Sequence, residues 1–428
     1  MTQPAKLFNR NFFLLWQGQF VSQVGNQVHH IAMMFWVKHV TGSASLMGLL
    51  MMLAMIPGVL LGPIGGTIAD RYSRRRIIIF SDIICGIAVL SLATLLFYRP
   101  GDGSFAIVWL FTVSIVIGIV GGFFRPAISA AIPDLVPRDK VAAANSLNQS
   151  SVQVSSLLGQ GAGGVLFRIF GAPLLFLADG LTYLFSAFSE SFIDIPQVIP
   201  EKGSGWKAVL RDFWRDTKEG FNYVWQNRGM RTVFFTSTLL NFLVSPVAVL
   251  FPFYVEDYLQ APADWYGFLI ASIGVGSLIG YAAAGALKVS GRTRSVLLIV
   301  FLIFLGLAFC ALGLSKAPVL SLGITLLLGA LSGAININII TILQLTTPSK
   351  IRGRVFGLLG TIVGGLMPIG MGLAGVVAEL LDNNVALIFI VCGLAMALVN
   401  VAMAFNRNFR EFLACEVDES NVTDENET

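Results

Sequence analysis

Charge is scarce in this 428-residue chain: Asp, Glu, Lys and Arg make up 12% of it, against roughly 25% in an ordinary soluble domain. That shortage, with a mean hydropathy of +0.78, excludes a soluble globular protein. The 55% of apolar residues excludes disorder, which needs low hydrophobicity and high charge. Cysteine is scarce too, and Cys85, Cys310, Cys392 and Cys415 are too scattered for a metal site or a disulfide framework. The histidines are His29, His30 and His39, too few and too local for a polynuclear metal centre. No Gly-Lys pair occurs anywhere, so there is no Walker A loop and ATP coupling in cis is excluded. No cofactor, metal or nucleic-acid partner is expected. What the chain has in excess is Gly (44) and Phe (33), which suits closely packed membrane helices.

A membrane-crossing helix needs roughly 20 apolar residues. Read with that window, the sequence predicts twelve spans, near 12–37, 44–69, 77–98, 105–132, 141–168, 171–193, 231–256, 264–288, 294–314, 317–346, 353–380 and 384–405. No cleavable signal peptide is expected ahead of the first, which is too long and polar for one. With the N-terminus inside, 24 of the 28 Lys and Arg fall on the inner side, and only Lys38, Arg99, Arg168 and Lys316 on the outer. Both termini are therefore expected to be cytoplasmic.

The two halves repeat. Residues 136–140 match 347–351, and 158–165 match 369–376, at an offset of 211. An offset of 218 sets Phe35-Trp36-Val37 on Phe253-Tyr254-Val255, and Arg74 and Arg76 on Arg292 and Arg294. Six plus six spans in parallel repeats is a transporter architecture. The expected organisation is a bundle over 1–193, a cytoplasmic linker over 194–230, a second bundle over 231–406, and a tail over 407–428 whose end, with six acids and no base, reads as disordered. In the linker, Trp206, Leu210, Phe213, Phe221 and Trp225 share a helical face, with Lys207, Arg211, Arg215 and Lys218 largely off it. That pattern predicts a helix lying on the membrane surface.

Several positions invite function. Gln19, Gln23, Asn26 and His30 follow steps of four, three and four, one face of the first span. Asn241 is the repeat counterpart of Gln23, and Asn336 that of Arg125. Polar groups at membrane depth are costly and usually face a cavity, so these seven are candidate substrate contacts, with Met33, Phe35, Trp36 and Met55 as apolar lining. Interhelical bonding is the alternative for the amides, and packing for His30. Asp179 is the deepest carboxylate and the candidate proton carrier, to be protonated or paired for part of the cycle. Asp82 and Glu190 read as interfacial, nearer the cytoplasmic ends.

The turn after the second span, Gly65-Gly66-Thr67-Ile68-Ala69-Asp70-Arg71-Tyr72-Ser73-Arg74-Arg75-Arg76, resembles the signature loop of the major facilitator superfamily, with Ser73 in place of its second Gly. The opening Asn11 to Gln19 and the stretch from Arg125 to Pro137 resemble the macrolide-efflux and enterobactin-exporter branch. Gly159, Gly163 and Gly164 resemble that superfamily's antiporter motif, with Gln160 where its Pro stands. Their small size suits a pivot between helices.

The resemblance implies an all-α membrane protein of twelve helices in two pseudo-symmetric bundles. It also implies secondary transport of a small molecule by alternating access, with protons as the driving partner. Physically, Asp70 can meet the free N–H groups that open span 11 near Gly353. Arg71, Arg74 and Arg75 can pair with Asp134, forming a cytoplasmic latch. Alternatively, the arginines set topology and touch lipid phosphates. The substrate expected is amphipathic and largely apolar, with a lipid or lysophospholipid flippase or a siderophore exporter as the alternative. The chain is expected to act as a monomer in the cytoplasmic membrane. A membrane enzyme is disfavoured because the acids are isolated, and a non-transporting receptor or scaffold because an intact latch implies rocking halves.

Overall fold

The computed structural model describes residues 6–99, 103–197, 206–286 and 289–415. The helices are α1 (Arg10–Thr41), α2 (Ala44–Arg71), α3 (Arg74–Tyr98), α4 (Gly103–Leu135), α5 (Val141–Glu190), α6 (Trp206–Gln226), α7 (Arg228–Phe253), α8 (Asp264–Ala286), α9 (Gly291–Leu314), α10 (Pro318–Thr346), α11 (Ser349–Gly365), α12 (Met367–Leu380), α13 (Val385–Phe405) and α14 (Arg407–Leu413). Among the described residues there is no strand. The reason is physical: a backbone crossing lipid must satisfy its own hydrogen bonds, which a helix does within one segment.

Ten segments are long and apolar enough to cross a membrane. The Gln and His residues of α1 keep it below that hydropathy threshold, yet its 32 residues are ample to span. One of the ten, Arg138–Glu190, is two spans, because Gly171 sits inside α5 at φ 69° and ψ 168° and Pro173 follows it. Positive φ is cheap only for Gly, and Pro removes a helix hydrogen bond, so the chain reverses there. Adding α1 and the second arm of α5 gives twelve, the number that the sequence predicts. Side chains set the helix starts: Asn9, Ser43 and Asn227 each accept a backbone N–H from the first turn of α1, α2 and α7.

The chain divides into two compact units. The first comprises Met1–Val209, Ala261–Phe268 and Met371–Leu380. In it α1 packs along α5, α2 along α4, and α3 against α4 and α5. Gly65 permits the α2–α4 approach, since a Cβ there would overlap the Gly122 carbonyl. A buried apolar cluster of Phe12, Leu15, Ala69, Ile78, Ala131 and Leu135 includes residues on both sides of the basic turn and anchors it. The second unit comprises Leu210–Gln260, Leu269–Gly370 and Leu381–Thr428. There α9 packs on α10 and α13, α7 packs on α11 and α13, and α14 closes against α7 and α9.

The linker is helical over α6. Trp206, Lys207, Leu210, Arg211 and Phe213 have side chains outside the described residues. Phe221 and Trp225 stack with ring centroids 5.3 Å apart, and both are exposed, as is Trp214. Within the second unit, Glu219 pairs with Arg354 at 2.8 Å, and Tyr223 donates to the Thr346 carbonyl at 3.0 Å. The acidic end of the tail, from residue 416, lies outside the described residues.

Candidate functional site

Arg74 is the hub of the basic turn. Its backbone N–H donates to Gln197 Oε1 at 2.9 Å, Nε to the Ala69 carbonyl at 3.1 Å, and Nη1 to the Ala130 carbonyl at 2.8 Å. Nη1 also donates to the Asp134 carboxylate, and Nη2 lies 3.3 Å from Asp70. The planar fork of Arg suits this many acceptors. Gln197 returns its amide to the carbonyls of Ala69 and Tyr72, at 3.2 and 3.1 Å. Arg75 donates to the Ser191 carbonyl, and Arg71 is half-buried. The Asp70 side chain remains 71% exposed, so its ion pair with Arg74 contributes little to stability and its carboxylate is accessible to a further partner. Gln197, unnoticed in the sequence, braces this turn from the start of the linker. No local pattern signals so distant a contact.

A second constellation is buried in the first unit. The arm of α5 after Gly171 carries Asp179, Tyr183, Ser186 and Glu190 at steps of four, three and four, which is one helical face. Against it α1 presents Gln19, Asn26 and His29. Asp179 is fully buried, and its Oδ2 lies 3.0 Å from Nδ1 of His29. Its Oδ1 is 3.5 Å from the Thr182 hydroxyl, which already donates to the Asp179 carbonyl at 2.7 Å. The His29 ring rests on Phe176, centroids 4.8 Å apart. Asn26 accepts from the Tyr183 hydroxyl, and Gln19 donates to Glu190 at 2.7 Å and Ser186 at 3.3 Å. Gly25 makes this contact possible, since a Cβ there would overlap the Thr182 hydroxyl and lie 2.7 Å from Asp179 Oδ1.

Asp82 and Glu190, read as nearer the cytoplasmic ends, are each 1% exposed, inside the helix packing. Proximity to a helix end along the chain does not measure burial across the bundle. Arg125, a candidate substrate contact, is exposed. Asp179 is faced by His29, which lies about 100° around α1 from His30.

The seven candidate substrate contacts fall into three groups. Gln19 and Asn26 are tied between helices of the first unit, as described. Gln23 and His30 are half-buried, and the Gln23 Oε1 has no hydrogen-bond partner. Arg125, Asn241 and Asn336 are exposed, with the Asn241 amide turned back onto the Ser237 carbonyl at 2.9 Å. Met33 and Phe35 belong to the core, whereas Met55 is 39% exposed. Of the candidate pivot residues, Gly159 and Gly163 face Gln27 and Ile31 of α1, and Gly164 faces the Ala263 carbonyl. At that last position segment 261–268 joins the first unit, and Arg168 pairs with Asp264 at 3.0 Å. Segment 371–380 joins it likewise. Glu379 accepts from the Ser43 hydroxyl at 2.9 Å and the Ser45 N–H at 3.3 Å, placing a carboxylate on the N-terminus of α2. Among the described residues no three His, Cys, Asp or Glu gather as metal ligands.

Comparison with known proteins gives this geometry its context. A family model described as transmembrane secretion effector matches residues 2–427. A macrolide efflux protein A of Streptococcus pyogenes is 26% identical over 377 residues, covering 87% of this chain and 90% of the relative. An enterobactin exporter of Shigella boydii is 28% identical over 368 residues, covering 83% and 81%. The solved nucleoside transporter NupG superposes with a TM-score of 0.71 at 13% identity, over 92% of this chain and 99% of that one, which shows the fold. A polytopic chain of twelve spans with the signature turn, matched end to end by that model, is a multi-pass membrane transporter of the efflux type and not an enzyme, and it belongs to the transmembrane secretion effector family of the major facilitator superfamily.

Proposed function

We propose that this transporter exports an amphipathic, largely apolar small molecule by alternating access, in exchange for protons. The observation that carries the coupling is Asp179, a fully buried carboxylate whose facing titratable group is His29 at 3.0 Å. A group that must be paired or protonated to remain in an apolar bundle suits uptake of a proton on one side and its release on the other. The substrate class rests on relatives named for macrolide efflux and multidrug efflux. Siderophore export is the second reading, favoured by the relative named as an enterobactin exporter.

In this reading the sequence halves 1–193 and 231–406 rock about a central cavity. Gln23, His30, Arg125, Asn241 and Asn336 line it, while Gln19 and Asn26 hold α1 in place. Asp70 latches the cytoplasmic side against the opening of span 11, with Arg71, Arg74, Arg75 and Asp134 shaping its turn. Gly159, Gly163 and Gly164 form the pivot. The protein works as a monomer in the cytoplasmic membrane, both termini inside, with α6 resting on the lipid surface through Trp214, Phe221 and Trp225. The orientation is supported by the placement of 24 of 28 basic residues.

The test is uptake of a radiolabelled macrolide into inverted vesicles under an imposed pH step. The parent should accumulate it. Asp179→Asn should abolish the response to the step yet still exchange labelled for unlabelled macrolide, because exchange needs no net protonation. An Asn variant that follows the pH step like the parent makes Asp179 structural. A parent that moves no macrolide under any gradient removes that substrate class.

A further inference from the structure

Asp179 and His29 occupy one end of the buried seam, and the other end holds two acids to which the reading above gives no task. Glu190 lies eleven residues beyond Asp179 on the same face, about 16 Å along the helix at 1.5 Å per residue. Its Oε1 is held by the Gln19 amide at 2.7 Å and the Ser186 hydroxyl at 3.3 Å. α3 packs against this arm of α5, with Gly86 one turn beyond Asp82 lying on Leu184 and the Gly180 carbonyl, which sets Asp82 beside the Glu190 end of the seam. Both acids are 1% exposed, and Asp82 Oδ2 and Glu190 Oε2 have no hydrogen-bond partner. The other titratable groups near Asp82 are Cys85 on α3 and Tyr183 and Asp179 on α5, all acids. His29, on α1, is engaged at Asp179. No Lys or Arg pairs with either carboxyl among the described residues.

Two ionised carboxylates side by side, buried and without a cation, would each lose hydration and repel one another. One proton between them turns the repulsion into a hydrogen bond. A metal ion is a poorer occupant: hard cations take about six or more oxygen ligands, whereas here an amide N–H, a donor, already holds one carboxyl oxygen. We propose that Asp82 and Glu190, clamped by Gln19 and Ser186, form a proton-binding pair that holds one shared proton inside the first unit, separate from the Asp179–His29 pair. Its part in transport rests on the proton-coupled reading above, whereas the shared proton does not.

Infrared spectroscopy of the purified full-length protein at neutral pH reads protonated carboxyls directly, with no substrate or gradient. Replacing both acids, as Asp82→Asn with Glu190→Gln, should remove one carboxyl's worth of the protonated-carboxyl band. Asp179→Asn should leave that share in place. Gln19→Leu keeps both acids and should shift the frequency of the band without reducing it, which covers the case of a double variant that fails to fold. A band unchanged in the double variant, a loss of two carboxyls' worth, or no shift in Gln19→Leu would each overturn the proposal. So would a band that fades when sodium replaces choline at fixed pH, since the pair would then take a metal cation. Failure of macrolide transport leaves these outcomes readable.

Discussion

Replacing His29 by Leu removes the imidazole from Asp179 while keeping an apolar body against Phe176, whose ring lies 4.8 Å away. Among the described residues no other base pairs with Asp179. Its Oδ2 has no further hydrogen-bond partner, and the Thr182 hydroxyl at 3.5 Å is committed to a carbonyl. If the native pair is ionic, His29→Leu strands a buried charge and should cost about 3–5 kcal/mol. If it is a neutral hydrogen bond, the stranded group should cost about 1–3 kcal/mol. Asp179→Asn keeps the volume and cannot ionise, so combining it with His29→Leu should recover most of an ionic loss and little of a neutral one. An ionic pair should give a coupling of about 2–3 kcal/mol between the two positions, at the upper end for residues in contact, and a neutral one a smaller coupling. Unfolding in mixed micelles titrated with a denaturing detergent, followed by tryptophan fluorescence, measures the parent, two single variants and the double. Losses that add to within about 0.5 kcal/mol would show no coupling and refute the pairing.

Asp70→Asn should leave insertion and folding intact, because that side chain is 71% exposed, yet slow transport several-fold by weakening the cytoplasmic latch. Spin-label distances across the cytoplasmic helix ends should shift toward the open state, and an unchanged distribution with normal transport would sink the latch. Cys placed at Gln23 and Asn241, in a background without the native Cys, should react with a small water-soluble thiol reagent, whereas Cys at Gln19 should stay inert. Equal reactivity at all three would mean that the polar face of α1 is not divided between cavity and packing.

The helices were legible because each needs about 20 apolar residues and lipid permits little else. The break between the fifth and sixth spans was also legible, since Gly171 and Pro173 puncture an otherwise apolar run. The site was legible only in part. The stripe Gln19, Gln23, Asn26, His30 follows helical spacing, but so does Gln19, Ser22, Asn26, His29. Spacing alone does not say which stripe faces a neighbour. The partner decides it: Asp179, Tyr183, Ser186 and Glu190 form a matching stripe on α5, visible in the sequence only once that helix is known to lie along α1. The burial of Asp82 follows from the packing of α3 on α5, and the reach of Gln197 to the basic turn from chain folding beyond any local pattern.

The repeat sharpens what that seam means. At the repeat offsets the counterparts of His29, Asp82, Asp179 and Glu190 are Val247, Val300, Ile390 and Val401, all apolar. Correspondingly, every buried carboxyl or imidazole among the described residues belongs to the first unit, while the buried polar groups of the second are hydroxyls and the amide of Asn400. Two bundles built on one plan therefore differ in the feature that lets a side chain hold a proton. Burying an ionisable group is costly unless it is paired, and a purely structural polar contact is made as well by Ser, Thr or Asn, as the second unit demonstrates. Acids kept at three buried positions of one repeat and at none of the other point to a task that hydroxyls and amides cannot perform. Any proton that drives this transporter should accordingly load on the first bundle.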